Sequence, residues 1–237
     1  GTPINYANDL DIGPKSGKVY FTSSTSGVVG WNAKAGGFYD TLRACILNAL
    51  RGDVSGRLLS YDFETRKTHV LLDNLFYANG VAVAHDESYV LVVETWAYRV
   101  LRVWLQGDKA GEVETFIGQL PGAPDGLSRS QWNPDAVWVC LVAKVSPLGK
   151  LAPYPFLRHL VGNILIPLLP KLAKHIMGST AAIQVKSNGE VLKTLLDPKS
   201  QKLQSISGVT EYNGAMFFGS LSGDYVSVLK MKDHITK

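Results

Sequence analysis

A phrase that returns four times constrains this chain most. Each copy opens on a small polar pair, runs through a turn and enters an apolar strand. The copies are Asn8-Asp9 leading to Val19-Tyr20-Phe21, Asn79-Gly80 leading to Val90-Leu91-Val92-Val93, Asp125-Gly126 leading to Val137-Trp138-Val139, and Ser207-Gly208 leading to Met216-Phe217-Phe218. Two stretches, about 27–52 and 151–177, lie outside the phrase and read as insertions. With these set aside, the copies start about 45–50 residues apart, the length of a four-stranded propeller blade. A unit of this kind buries its faces only against its neighbours. The phrase therefore predicts an all-β fold, a β-propeller of which the chain supplies four consecutive blades. Residues 1–237 read as one partial propeller domain with small helical insertions.

Alternation and turn residues place the strands. Blade one takes 8–12, 18–23, 56–62 and 68–73, and blade two takes 79–84, 89–95, 99–105 and 112–117. Blade three takes 125–128, 136–143, 180–185 and 190–196, with Ser187-Asn188-Gly189 as a hairpin turn. Blade four takes 206–211, 215–220 and 225–231, one strand short. That shortfall and the start at Gly1-Thr2-Pro3 predict a part of a longer propeller, missing about two blades at its N-terminus. The first insertion reads as a short helix or a loop over one face. The second is strongly apolar, and Pro167 and Pro170 are expected to break any single long helix there. Lys171, Lys174 and His175 make its far end basic. It reads as a cap on the rim, with a lid over the pocket or a membrane-surface contact as the functional alternatives.

Composition removes several classes of function. Hydrophobic residues at 46% and charged residues at 19% are ordinary globular values. The net charge of +4 is spread along the chain without a basic, aromatic-interleaved run, so nucleic acid is not a partner. The five histidines form no zinc-like pair, and no nucleophile elbow of the Gly-x-Ser-x-Gly type is present. Cys45 and Cys140 read as two free thiols, with a disulfide between them as the alternative. The chain shows no signal peptide and no uninterrupted apolar span of about 18 residues.

The first strand of a propeller blade lines the central channel. Repeat starts distant in sequence therefore meet there as a ring, here Asn8, Asn79, Asp125 and Ser207. Amide and carboxylate oxygens suit a hard cation such as Ca2+. One carboxylate and two amides need a second carboxylate, water or substrate oxygens to complete a site. Taken singly, these pairs are ordinary turn formers. Their equivalent phase in three repeats is what favours metal. Glu94, in Glu94-Thr95-Trp96, ends a strand at the propeller face and is a pocket candidate with Ser207, or else a solvated or arginine-paired side chain.

Several segments together resemble the strictosidine synthase-like family. They are Tyr6 to Ile12, Val19 to Ser24, Gly56 to Asp62, Leu71 to Val81, Glu94-Thr95, Arg102 to Leu105 and Leu120 to Gly126. The family includes plant strictosidine synthases and animal adipocyte plasma membrane-associated proteins, with calcium-dependent paraoxonases and gluconolactonases as more distant relations. The resemblance implies a six-bladed propeller, of which this chain matches the last four blades, and a place in the secretory pathway. It places Asn8, Asn79 and Asp125 at metal-ligand positions, while a further Glu ligand belongs to a first blade outside this chain. It also puts Ser207 where strictosidine synthase proper carries its catalytic Glu, so the amine–aldehyde condensation is not expected. The implied activity is calcium-dependent hydrolysis of a small ester or lactone. The alternative is a non-catalytic, membrane-associated propeller that binds ligands or partners.

Overall fold

The computed structural model describes residues 2–33, 37–146, 150–151, 153–176, 180–197 and 202–231. In chain order the elements are β1 (Ala7–Ile12), β2 (Val19–Ser23), β3 (Trp31–Asn32), β4 (Phe38–Tyr39), α1 (Thr41–Arg51), β5 (Gly56–Asp62) and β6 (Lys67–Leu75). There follow β7 (Ala78–Val83), β8 (Tyr89–Glu94), a 3-10 turn at Thr95–Ala97, β9 (Arg99–Trp104) and β10 (Val113–Ile117). Next come β11 (Gly122–Arg129), β12 (Ala136–Lys144), α2 (Pro155–Ile176), β13 (Thr180–Lys186) and β14 (Val191–Asp197). The last three are β15 (Ile206–Tyr212), β16 (Ala215–Ser220) and β17 (Ser227–Lys230). They form antiparallel sheets β1-β2-β5-β6, β7-β8-β9-β10, β11-β12-β13-β14 and β15-β16-β17. Four blades follow in sequence, and among the described residues the fourth has three strands.

The core lies between blades, as strand alternation requires. In β8, Val90 and Val92 point into the layer shared with blade one, where they meet Tyr20, Leu58 and Leu75. Leu91 and Val93 point the other way, against Val137, Val139 and Leu141 of blade three. Both faces are covered, so the strand reads as a continuous apolar run. A third layer packs Trp138 and Cys140 on Val209, Met216 and Phe218 of blade four.

Strand direction sets which end carries the site. β1, β7, β11 and β15 all start at one end of the channel, and their antiparallel partners β2, β8, β12 and β16 finish there. Both insertions leave at that end, one after β2 and one after β12. α1 is capped by Asp40, whose side chain accepts from the Arg43 N–H at 3.0 Å. It stops at Gly52 in the left-handed conformation, φ 62°. A bond from Thr25 Oγ1 to Asp53 Oδ2, 2.7 Å, ties the neck of this insertion.

The second insertion departs from expectation. α2 runs as one helix of 22 residues through Pro167 and Pro170. Each proline removes one N–H from the ladder, and the bonds of the flanking turns carry the helix through. The basic end at Lys171, Lys174 and His175 lies outside the side chains described.

Candidate functional site

Each of the four repeat starts sits on an irregularity in its strand. Pairing of β1 with β2 shifts between Ala7 and Leu10, that of β7 with β8 between Ala78 and Val81, and that of β11 with β12 between Pro124 and Leu127. The β15–β16 pairing shifts between Ile206 and Gly208. A β-bulge re-aims a side chain and leaves backbone groups outside the ladder. Asn8, Asn79, Asp125 and Ser207 each lie inside one.

The pairs are therefore not turns, contrary to the plainer expectation. Gly80 and Gly126 lie within strands and neither has a positive φ. What requires glycine is close approach. A Cβ at Gly80 would fall 2.4 Å from the Asp125 carbonyl oxygen, and one at Gly126 would fall 2.0 Å from that of Ser207. Both are backbone atoms of the next inner strand, so only glycine lets the strands converge around the axis.

Asn79 and Asp125 meet directly. Asn79 Nδ2 donates to Asp125 Oδ1 at 2.6 Å and to Thr95 Oγ1 at 3.1 Å. Thr95 Oγ1 donates onward to the Pro124 carbonyl at 2.9 Å. Asn79 is buried and Asp125 is half-buried. Burial pushes the Asp125 carboxyl up to about 7, opposed by the Asn79 bond and reinforced by the charge of Asp9. No Lys or Arg among the described residues forms an ion pair with it.

Asn8 is exposed and donates to Ser24 Oγ at 2.8 Å, apart from the Asn79–Asp125 bond. Its neighbour Asp9 supplies a second carboxylate near the ring, which sequence reasoning did not single out. Asp9 Oδ2 accepts from the Val81 N–H at 3.0 Å, and Oδ1 from Leu10 N–H at 2.9 Å. Burial raises its carboxyl above the usual range, those two N–H groups oppose the rise, and Asp11 adds to it. Thr22 Oγ1 donates to the Asn79 carbonyl at 2.7 Å and so locks blade one to the bulge of blade two.

The two pocket candidates stand apart from that pair. Glu94 Oε1 accepts from the Phe76 N–H at 2.8 Å, and Oε2 pairs with Arg99 Nε at 2.6 Å. This is the arginine-paired placement, and both oxygens are engaged away from the ring. Ser207 Oγ lies against Gly219 of β16. Four residues further along β15, Glu211 is buried with both oxygens occupied. Oε2 accepts from Ser130 Oγ, Gln131 N and Trp132 N, and Oε1 accepts from Trp138 Nε1 at 2.7 Å.

α1 roofs the ring end. Ile46, Ala49 and Leu50 pack on Tyr77 and Trp96, with Tyr6, Leu42 and Cys45 at the margin. Tyr6 and Tyr77 meet edge to face, centroids 6.0 Å apart. Enclosure pushes the Cys45 thiol up to about 12, with the Asp125 charge adding to it and a bond to Tyr77 opposing. A thiol held protonated is a weak nucleophile. Cys45 and Cys140 are both free. Three buried polar atoms near this end, Ser23 Oγ, Asn48 Oδ1 and Trp96 Nε1, have no protein partner. Neither Cys45 nor Thr95 carries a sequence signal for its place here. The fold of an insertion brings in the first, and a turn after β8 brings in the second.

The donors at the ring fit a hard cation. They are an enclosed carboxylate without a cationic partner among the described residues, neighbouring hydroxyls, and the Asn79 amide, whose oxygen would face an ion only in exchange for its Nδ2 bonds to Asp125 and Thr95. No cluster of three or more His, Cys, Asp or Glu suited to a metal occurs among the described residues.

Comparison with known proteins places this architecture. The family model described as strictosidine synthase matches residues 8–108. Protein STRICTOSIDINE SYNTHASE-LIKE 10 of Arabidopsis thaliana is 33% identical over 96% of this chain. The chain belongs to the strictosidine synthase family. It is also 30% identical to the adipocyte plasma membrane-associated protein of Salmo salar over 98% of its length. It spans 58% of the former relative and 53% of the latter, a little over half of each. Among solved structures, a gluconolactonase from Xanthomonas campestris superposes with TM-score 0.59 at 13% identity, over 98% of this chain and 59% of that one. A calcium-binding protein, regucalcin, from Agrobacterium tumefaciens superposes with TM-score 0.52 at 12% identity, over 92% and 55%. Within the strictosidine synthase family, the chain thus has the fold of four blades of a six-bladed propeller.

Proposed function

We propose that the propeller to which these blades belong holds Ca2+ at the ring and hydrolyses a small ester or lactone. The observation that carries this reading is Asp125, an enclosed carboxylate 2.6 Å from Asn79 with no cationic side chain paired to it among the described residues. Asn79, Asp125 and Asn8 would hold the ion. The names of the gluconolactonase and regucalcin neighbours agree with the reading at the level of fold. When bound, a divalent cation supplies Lewis-acid polarisation of a carbonyl and charge for the developing oxyanion.

This chain's own residues do the rest. Gly80 and Gly126 hold the inner strands close enough for Asn79 and Asp125 to touch. α1 and Tyr77 exclude water from the roof side. The Tyr6 and Tyr77 hydroxyls, whose pKa burial raises, stay protonated and serve as hydrogen-bond donors. Strictosidine-type condensation is not assigned. Ser207 has no carboxyl to act as acid or base, and both Glu211 oxygens are committed to their donors.

Arylester and lactone hydrolysis by the full-length protein, with and without a calcium chelator, tests the reading. Activity lost on chelation and restored by Ca2+ is the expected result. Activity indifferent to chelation removes the metal.

A further inference from the structure

We propose that the helical cap at the ring end docks on an anionic phospholipid surface. The two insertions emerge at the same end of the channel and touch. Arg158 of α2 donates to the Arg51 carbonyl of α1, and Val161 and Gly162 of α2 lie against the α1 cluster and its Leu50. α1 also borders the β3–β4 hairpin, because Arg43 and Leu47 share a cavity with Val28 and Trp31. Hairpin, α1 and α2 thus make one continuous surface.

That surface is apolar where it is most exposed. Phe156 is 84% accessible, Trp31 60% and Tyr39 63%. Along α2, Phe156, Leu160, Ile164 and Leu168 recur every fourth residue and all are exposed. Between the helices runs a groove of about 440 Å³ lined by Arg43, Arg51, Arg158 and His159, with no acidic residue among the described residues on its walls. Exposed Trp, Tyr, Phe and Leu beside arginines form the composition that settles at the headgroup boundary. The arginines attract anionic headgroups and the rings enter the acyl margin.

Other occupants fit less well. A second copy docking through a two-fold contact would set one arginine groove against its equal. Neighbouring blades would pack on the exposed strand faces of β1 and blade four, where Leu10, Ile12 and Tyr225 lie, and not on the channel end. No helix among the described residues is long and apolar enough to cross a membrane, so the contact is with the surface. The inference is independent of the hydrolase reading.

The test is co-sedimentation of the full-length protein with vesicles of phosphatidylcholine alone and with about 30% phosphatidylserine added. Binding at least about tenfold tighter to the anionic vesicles, and weakened by salt, is expected. Phe156→Glu with Leu160→Glu should lower binding about tenfold, and Arg43→Glu with Arg158→Glu should abolish the anionic preference. Phe63→Glu, in the β5–β6 turn at the opposite end, should bind like the parent. Brominated lipid should quench fluorescence in the parent more than in Trp31→Phe. No binding to either vesicle, equal binding to both, or equal binding by parent and Phe156→Glu/Leu160→Glu would overturn the proposal. So would lipid-free self-association abolished by that same pair, which would assign the surface to a second copy.

Discussion

Arg129 of β11 reaches Asp11 of β1 across the mouth of blade two, Nη2 to Oδ1 at 2.9 Å. The residues lie 118 positions apart, and the bond joins blades one and three directly. Asp11 Oδ2 meanwhile accepts from the Val83 N–H of the intervening inner strand at 2.8 Å. One carboxylate thus fixes three blades around the channel. Both partners are about four-fifths buried, so removing one leaves the other's charge in a poorly solvated place. Arg129→Met should cost about 2 kcal/mol of unfolding free energy in urea titration. In a double-mutant cycle with Asp11→Asn the two losses should not add.

Gly126→Ala should be among the most damaging single-methyl changes in the chain. The new Cβ would meet a backbone oxygen at 2.0 Å, and no side chain can move aside to relieve it. A loss of about 3 kcal/mol or more is expected. Gly118→Ala is the matched control, since its Cβ position makes only ordinary contacts within its own blade, the nearest at 3.4 Å, and its φ is not positive. Thermal melts of the two should differ by many degrees.

Glu211 gathers two side-chain and two backbone donors from blade three onto blade four. Glu211→Gln replaces one acceptor oxygen with a donor and leaves buried N–H or O–H groups unmatched. The expected cost is about 2–4 kcal/mol, with a shift in Trp138 emission because its indole N–H loses a charged partner.

Stability should depend on pH through Asp125, and the sign follows from its raised carboxyl. Its pKa is about 7 in the fold and near 3.8 when unfolded. Below about pH 4 both states hold the proton and its contribution is fully present. As pH rises from there through about 7, the unfolded chain ionises first and that stability is lost. Asp125→Asn should flatten this part of the curve in calcium-free buffer, measured as the difference in unfolding free energy from the parent. Parallel curves would show that Asp125 titrates alike in both states.

Much of the fold was legible because propeller strands are short, alternating and punctuated by turns. The strand starts of blade two follow from Asn79-Gly80, Asp86-Glu87-Ser88 and the run Val90 to Val93, whose two-sided burial the sandwich of blades explains. The ring was legible as a phase in the repeat. What it meant locally was not: Gly80 and Gly126 resemble turn glycines in sequence, and only the neighbouring strand shows that they serve close approach. Glu94 takes its role from Arg99, which follows it around a 3-10 turn. Cys45 reaches the ring end because a helix folds back over it. α2 passes through two prolines that local rules assign as breakers. In each case a partner distant in sequence, or the cooperativity of a long helix, outweighs the local signal.

Calcium titration by calorimetry on the full-length protein and its Asp125→Asn variant bears most directly on the ring as a metal site. Asn keeps the size and an oxygen but removes the charge. Affinity should fall at least about tenfold, equivalent to about 1.4 kcal/mol. Asn79→Ala should lose less, because water can replace a neutral ligand in part. Unchanged calcium affinity in Asp125→Asn would contradict the metal site and leave the bulged ring as a device for packing inner strands alone.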